Sequence, residues 1–492
     1  MKWCYKNSEF LIRRPPVERV PTGIRGLDDL TGGGFIPGRA YLVRGGPGSG
    51  KTTFGLNFLE EGLRRKEKSL FICLSEAWEK IAQDSRAQGL DLEGLSVLDL
   101  SPTSEFFAKK MAYDIFTSGD VERDPLVEKI VEEVERVSPQ RVFLDSMTQF
   151  RYFTKDPYIY RKQVLSFLRF AAERGITLLF SSEASDEAPD HDLQFLADGV
   201  FTLGVDGGYR FLEISKFRGT DIPEARHTVK IGEGGLRVFP KIRPRKLKIE
   251  IPHEVIPSGI PEVDEMLSGG LEKGSTTIIS GPTGVGKSTL AALFAKEAAG
   301  RGERTAIYTF EENEDSYIRR SEGLAIPVKA MISKGTLSLT YVEPTLLTCD
   351  EFGALIREEV EEKGTSIVLI DSLGGYRLSI VGEDTVTHIH ALVKYLSNQG
   401  VTTIIVDEVQ AVTGEFQPTR EGVSYLADTI IFFRYIEIKG RVAKTIGVLK
   451  KRLSDFGKYL REVEITRYGL KVGEPLTNLR GILQGVPEFL DG

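Results

Sequence analysis

Two stretches of the chain fit the pattern GxxxxGK[ST]. One is Gly45-Gly46-Pro47-Gly48-Ser49-Gly50-Lys51-Thr52, followed by Thr53. The other is Gly281-Pro282-Thr283-Gly284-Val285-Gly286-Lys287-Ser288, followed by Thr289. Glycines at this spacing let the backbone curl until successive N–H groups point at phosphate oxygens. A helix starting at the lysine adds the partial positive charge of its N-terminus. In such a loop the lysine, here Lys51 or Lys287, reaches the β- and γ-phosphates, and the next hydroxyl, Thr52 or Ser288, serves Mg²⁺. An apolar strand before the loop separates this reading from an ordinary glycine-rich turn. Both stretches have one, YLVRG and TTIIS. ATP and Mg²⁺ are therefore the expected ligands, at two sites per chain.

Phosphate chemistry needs carboxylates as well. Asp145 and Asp371 end the apolar runs VFLD and IVLID. An aspartate at the tip of a buried strand beside the phosphate loop suits the Walker B role, holding Mg²⁺ through water. Hydrolysis further needs a group that orients or deprotonates the attacking water. Glu311 and Glu312 follow the run AIYTF; the matching pair after LFICL is Ser75 and Glu76. Glu76 and Glu312 are the equivalent candidates, with Glu311 an additional base in the second stretch. Glu79, Glu183 and Glu408 are further acids of a kind that is usually just solvated. Later come Lys216 and Arg218, and Lys450 and Arg452, each pair spaced K-x-R. Basic groups there suit a finger reaching the γ-phosphate of a neighbouring subunit; a solvated strand edge is the plain alternative.

These residues recur because the chain is duplicated. Lys51 and Lys287 lie 236 positions apart, as do Pro21 and Pro257. FICLSEAWE pairs with IYTFEENED, GITLLFSSE with GVTTIIVDE, and LAD with LAD, in the same order. Such a repeat is a whole domain rather than a solenoid unit. Within each copy, short β-branched runs alternate with amphipathic stretches such as FGLNFLEEGLRR and YRKQVLSFLRFAAERG. That alternation predicts an α/β fold, two tandem domains each with a mostly parallel sheet covered by helices on both faces. Boundaries are expected at 1–15 for an N-terminal segment, 16–245 and 246–475 for the domains, and 476–492 for a tail. The segment PKIRPRKLKIEIPHE reads as the linker. The chain after Leu470 shows no strand pattern and is expected to pack on a neighbour or remain mobile.

Composition narrows the class. The net charge is −7 over 492 residues, which excludes a generally basic nucleic-acid coat but not a local basic groove. Cys4, Cys73 and Cys349 are the only cysteines and form no CxxC, so neither a disulfide framework nor a cysteine zinc site is supported. No apolar run reaches the roughly 18 residues of a membrane helix. The N-terminus has no apolar core of a secretory signal. The cytoplasm is the expected compartment, with no membrane partner.

The lead-in G-[IL]-x-x-[LV]-D-x-[LM]-x-x-G before each phosphate loop, the pair Glu311-Glu312 and the two K-x-R motifs together resemble the KaiC family of RecA-like P-loop ATPases. The resemblance spans about residues 15–475, and the duplication matches its double-domain members. It implies a homo-hexamer with ATP between neighbours, which would make K-x-R a trans contact. It also implies ATPase activity in the first domain and Ser/Thr autophosphorylation in the second. The family's adjacent phosphorylated Ser and Thr fall just before LADTI, where this chain has Ser424 and Tyr425; Thr419 matches a third hydroxyl. The first copy has Gln194 and Phe195 there, so any autokinase belongs to the second copy. Ser75 stands where the family's first domain has glutamate, a loss that would slow hydrolysis more than binding. Two other readings remain open from sequence: a RecA-like DNA-dependent ATPase, which tight salt-sensitive DNA binding would reveal, and a nucleotide-held scaffold with little turnover. Protein partners are not legible.

Overall fold

The computed structural model describes residues 18–104, 125–152, 157–183, 189–222, 224–244, 254–343, 345–381, 385–409, 419, 423–438, 440–484 and 488–489. The N-terminal segment 1–15 and the linker residues 245–253 lie outside them. The chain divides into two compact units, Met1–Lys241 and Ile242–Gly492. Ile242 already packs in the second unit's core.

Each unit is built on one nine-stranded sheet, and the two sheets have the same strand order. In copy one the strands are β1 Ala40–Gly45, β2 Ser69–Cys73, β3 Ser96–Asp99, β4 Arg141–Asp145, β5 Thr177–Glu183, β6 Gly199–Asp206, β7 Tyr209–Phe217, β8 Arg226–Gly232 and β9 Gly235–Phe239. They lie in the order β3-β2-β4-β5-β1-β6-β7-β8-β9. The first six are mutually parallel, and β7, β8 and β9 add on antiparallel. Copy two begins with the short pair β10 Val255–Ile256 and β11 Leu271–Glu272. Its sheet strands are β12 Thr276–Gly281, β13 Thr305–Thr309, β14 Leu337–Tyr341, β16 Ile367–Asp371, β18 Thr402–Glu408, β19 Thr429–Ile438, β20 Arg441–Lys451, β21 Arg461–Thr466 and β22 Gly469–Pro475. The small pair β15 Leu347–Thr348 and β17 Ile380–Val381 stands apart from that sheet. The order β14-β13-β16-β18-β12-β19-β20-β21-β22 repeats that of copy one.

Alternation along each central strand explains why both faces are covered. In copy one Leu42, Val142, Leu144, Leu178 and Phe180 enter one buried cluster. Their neighbours Tyr41, Val43, Phe143 and Leu179 enter another with Phe54, Phe58 and Leu59 of the helix Lys51–Arg64. Side chains with period two thus feed two cores, one on each side of the sheet. The fit on the second side is close. A Cβ on Gly55 would lie 2.1 Å from Cε1 of the Phe143 ring. At the matching positions copy two has Ala291 and Leu369, within one buried cluster. Arg141, fully buried at the start of β4, anchors this helix. Its guanidinium donates to the backbone oxygens of Pro21 (2.6 Å) and Phe58 (3.0 Å) and to the Glu67 carboxylate (2.5 Å).

The tail is more regular than its sequence predicts. Strand β22 continues to Pro475 and pairs with β21. Beyond it, β23 Leu479–Arg480 pairs with β24 Glu488–Phe489. Ile482 packs on Ile436 and Ala443 of copy two. The sequence hides this because the apolar contacts are few and widely spaced. Among the described residues no helix is long and apolar enough to cross a membrane.

Candidate functional site

Both phosphate loops sit at the carboxyl end of a central parallel strand, where α/β sheets place their ligands. Gly45 ends β1 and the helix Lys51–Arg64 follows; Gly281 ends β12 and the helix Lys287–Gly300 follows. Gly50 and Gly286, each immediately before the lysine, have φ of 106° and 112°. That left-handed geometry admits glycine at little cost and turns the chain into the helix. A Cβ on Gly46 or Gly48 would meet nothing within 4 Å, so the copy-one loop has open space beside both glycines.

The lysines fold back on their own loops. Lys51 Nζ donates to the carbonyls of Gly45 (2.8 Å) and Gly46 (3.0 Å), and Lys287 Nζ to that of Pro282 (2.7 Å). Burial lowers both ammonium pKa values. Asp145 and Glu183 oppose that at Lys51; Glu408, Asp371, Glu311 and Asp407 oppose it at Lys287. A cavity of about 430 Å³ opens beside the copy-one loop, lined among others by Lys51, Thr52, Thr53, Asp84, Gln88 and Arg210. Its size suits a nucleotide-sized ligand.

The strand-tip aspartates meet the loop hydroxyls. Thr52 Oγ1 donates to Asp145 at 2.6 Å, and Ser288 Oγ to Asp371 at 3.1 Å. Asp145 also accepts the hydroxyl of Ser181. Val406 stands at the corresponding position in copy two. Burial pushes the Asp371 carboxyl up to about 6, against the lowering effects of Ser288 and of Arg320. Among the described residues no three His, Cys, Asp or Glu side chains converge to hold a metal by themselves. Mg²⁺ typically takes one or two carboxylates and completes its shell with water and substrate phosphate, so the hydroxyl–aspartate pairs fit that ion.

The remaining acids diverge between the copies. Glu311 accepts the Ser372 hydroxyl, next in sequence to Asp371. At the same corner of copy one, Ser75 Oγ faces Ser146 Oγ at 3.5 Å. Glu312 is paired with Arg320, whose Nη2 lies 2.9 Å from its carboxylate, and Glu76 is paired with the exposed Lys80. Glu76 also lines the copy-one cavity. Glu408 accepts from Thr283 Oγ1 of the loop at 2.5 Å.

The K-x-R residues sit at the other end of the sheet. Phe217 pairs with Gly199, and Gly199 with Tyr41, four residues before Gly45. Lys451 pairs with Thr429, and Thr429 with Thr277, four residues before Gly281. At about 3.3 Å per residue, each motif is roughly 13 Å along the strand from its own phosphate loop. Lys216 Nζ donates to the carbonyls of Gln194 (3.0 Å) and Phe195 (2.9 Å). Lys450 Nζ donates to those of Ser424 (3.2 Å) and Ala427 (2.6 Å). Arg218 and Arg452 are more than half exposed and lie near Asp198 (3.2 Å) and Asp428 (3.6 Å).

A family model described as "ATPase: KaiC" matches the chain twice, over residues 20–243 and 256–477. The chain belongs to the KaiC ATPase family. It is therefore an ATP-binding P-loop ATPase by descent. It is 28% identical to the circadian clock oscillator protein KaiC of a Prochlorococcus marinus strain, over 97% of this chain and 96% of that protein. It is also 28% identical to the circadian clock protein KaiC3 of a Synechocystis species, over 96% and 95%, and 26% identical to KaiC of Thermostichus vulcanus, over 96% and 92%.

The hydroxyls expected as phosphosites lie before β19. Ser424 and Tyr425 are exposed on a turn; Thr419 is buried. The Tyr425 ring lies 5.9 Å from that of His390. The turn precedes Asp428, whose N–H donates to Thr276 at the start of β12, so it too sits at the far end from Lys287. Sequence reading does not single out Ser181, Ser372 or Arg320. A signal exists for Ser181 alone: it stands two residues before the strand tip at Glu183, so both share one face.

Proposed function

We propose that this chain is an Mg²⁺-dependent cytoplasmic ATPase that works as a homo-hexamer, with ATP on both phosphate loops of each chain. Residues 16–245 and 246–475 form its two ATPase domains. Thr52 with Asp145, and Ser288 with Asp371, serve the metal. Lys51 and Lys287 leave their carbonyl partners for the phosphates. The observation that carries the oligomeric reading is the register of the K-x-R motifs. Lys216 and Arg218, like Lys450 and Arg452, stand roughly 13 Å along the sheet from their own loops. A cation that serves a γ-phosphate from there serves a neighbour's. Ser424 lies at that same end, so phosphorylation on it would run between chains, with copy two of one protomer acting on the next.

Incubation of the purified protein with γ-labelled ATP and Mg²⁺ tests this, following free phosphate and protein-bound label together. Release of phosphate with label on Ser424, both reduced by Lys287→Ala, is the expected result. Phosphate without label leaves an ATPase alone. Neither product, with nucleotide bound, returns the scaffold reading.

A further inference from the structure

We propose that Glu183 is the carboxylate that orients and deprotonates the attacking water in copy one, a task that falls to Glu311 in copy two. This rests on the reading that copy one binds ATP. Copy one lacks the Glu311 carboxylate: Ser75 stands there, facing Ser146. The adjacent Glu76, which lines the copy-one cavity, is held by the exposed Lys80.

Glu183 stands elsewhere. It ends β5, the strand between β4, which carries Asp145, and β1, which delivers the phosphate loop. Side chains on a strand alternate, so Ser181 and Glu183 share a face. Ser181 donates to Asp145, which also holds Thr52, the first hydroxyl of the loop helix. Glu183 therefore leaves the strand tip on the nucleotide side of the sheet. It is in register with Gly45, one strand spacing of about 4.8 Å away. The ammonium of Lys51 feels its charge together with that of Asp145.

Copy two shows where an acid at this position reaches. Glu408, level with Gly281, takes the Thr283 hydroxyl at 2.5 Å and is the acid with the largest effect on Lys287. Copy one has Pro47 at the place of Thr283, so that hydroxyl contact is missing there. The two copies have thus exchanged roles: an anchored strand-tip acid with a second base in one, a strand-tip acid without that anchor in the other.

In the reaction the water oxygen bonds to the γ-phosphorus of ATP. The bond from that phosphorus to the β–γ bridging oxygen breaks, its electron pair leaving with ADP. The proton of the water passes to the Glu183 carboxylate and then to solvent as phosphate departs.

The test uses the full-length chain carrying Glu311→Gln, which isolates copy-one turnover. Initial rates of phosphate release are measured against ATP concentration, and bound nucleotide per chain is counted with ATPγS. Adding Glu183→Gln is expected to lower the residual kcat by about 100-fold, the usual range for a general base being 10²–10⁴. KM and the two bound ATPγS per chain stay as they were, and Glu183→Asp recovers part of the rate. The proposal is overturned if kcat falls less than tenfold, if KM or bound nucleotide is lost instead, or if the Glu311→Gln chain has no residual turnover. Failure of the underlying reading looks different: the unsubstituted chain would bind at most one ATPγS, and Lys287→Ala would abolish the binding that remains.

Discussion

Gly55→Ala is the smallest change that should disturb the first ATP site without touching a residue of it. The new methyl would sit 2.1, 2.2 and 2.3 Å from three atoms of the Phe143 ring. Carbon atoms rest at about 3.5–4.0 Å, so the helix Lys51–Arg64 and strand β4 must separate by more than 1 Å or the ring must leave its place. Phe143 is fully buried and stacks on Phe71 at 5.4 Å, which leaves the ring little room. Overpacking of this kind costs about 1–3 kcal/mol, partly offset by the better helix propensity of alanine, up to about 1 kcal/mol. A net loss of about 1–2 kcal/mol in copy one is expected. The same separation pulls Thr52 on the helix away from Asp145 on the strand, now 2.6 Å apart, so nucleotide affinity at that site should weaken as well. Copy two already contains the remedy, Ala291 with Leu369. Adding Phe143→Leu should restore stability, with a coupling energy of at least about 1 kcal/mol between the two changes. Urea unfolding of the full chain, followed by the copy-one transition, measures both. Unchanged or increased stability in Gly55→Ala, or additive effects in the double variant, would refute the packing argument.

Three further outcomes are expected. Arg452→Ala and Lys287→Ala chains should each lack copy-two turnover, yet regain part of it when dissociated and reassembled together, because one sound loop then meets one sound finger; a phosphate-release assay of the mixture decides it. Lys287→Ala alone should reduce bound ATPγS from two to one per chain, read by equilibrium binding. Arg141→Met should destabilise copy one by about 1.5–3 kcal/mol, since Glu67 and the carbonyls of Pro21 and Phe58 lose the guanidinium as donor; a lowered urea midpoint checks it.

The parts of the site legible in sequence are those whose geometry is local. Eight consecutive residues specify a phosphate loop, and an aspartate closing a run such as VFLD can only stand at a strand tip. Contacts that depend on a partner far along the chain are not legible. Ser181 meets Asp145 across 36 positions, and Ser372 meets Glu311 across 61. Glu312 and Arg320 are only eight apart, but which of many surface acids a given arginine takes is decided by the turn entering the helix Glu314–Glu322. The same limit applies to β22, whose pairing is set by β21 rather than by an internal apolar pattern.

Comparing the copies shows how a duplicated site can diverge while its scaffold stays fixed. Strand order, loop, helix and strand-tip aspartate are common to both, because each rests on the sheet. What differs is the second layer of side chains around the phosphates: Ser181 against Val406, Ser75 against Glu311, Pro47 against Thr283. Each exchange moves a hydrogen bond or a charge by one side chain's length. Asp145 has two hydroxyl donors and Asp371 one, with desolvation raising the latter toward neutrality. An aspartate already engaged by two donors is positioned for a cation before nucleotide arrives. The copies thus differ in the side chains that surround a shared loop and strand tip, while the sheet that presents them is the same.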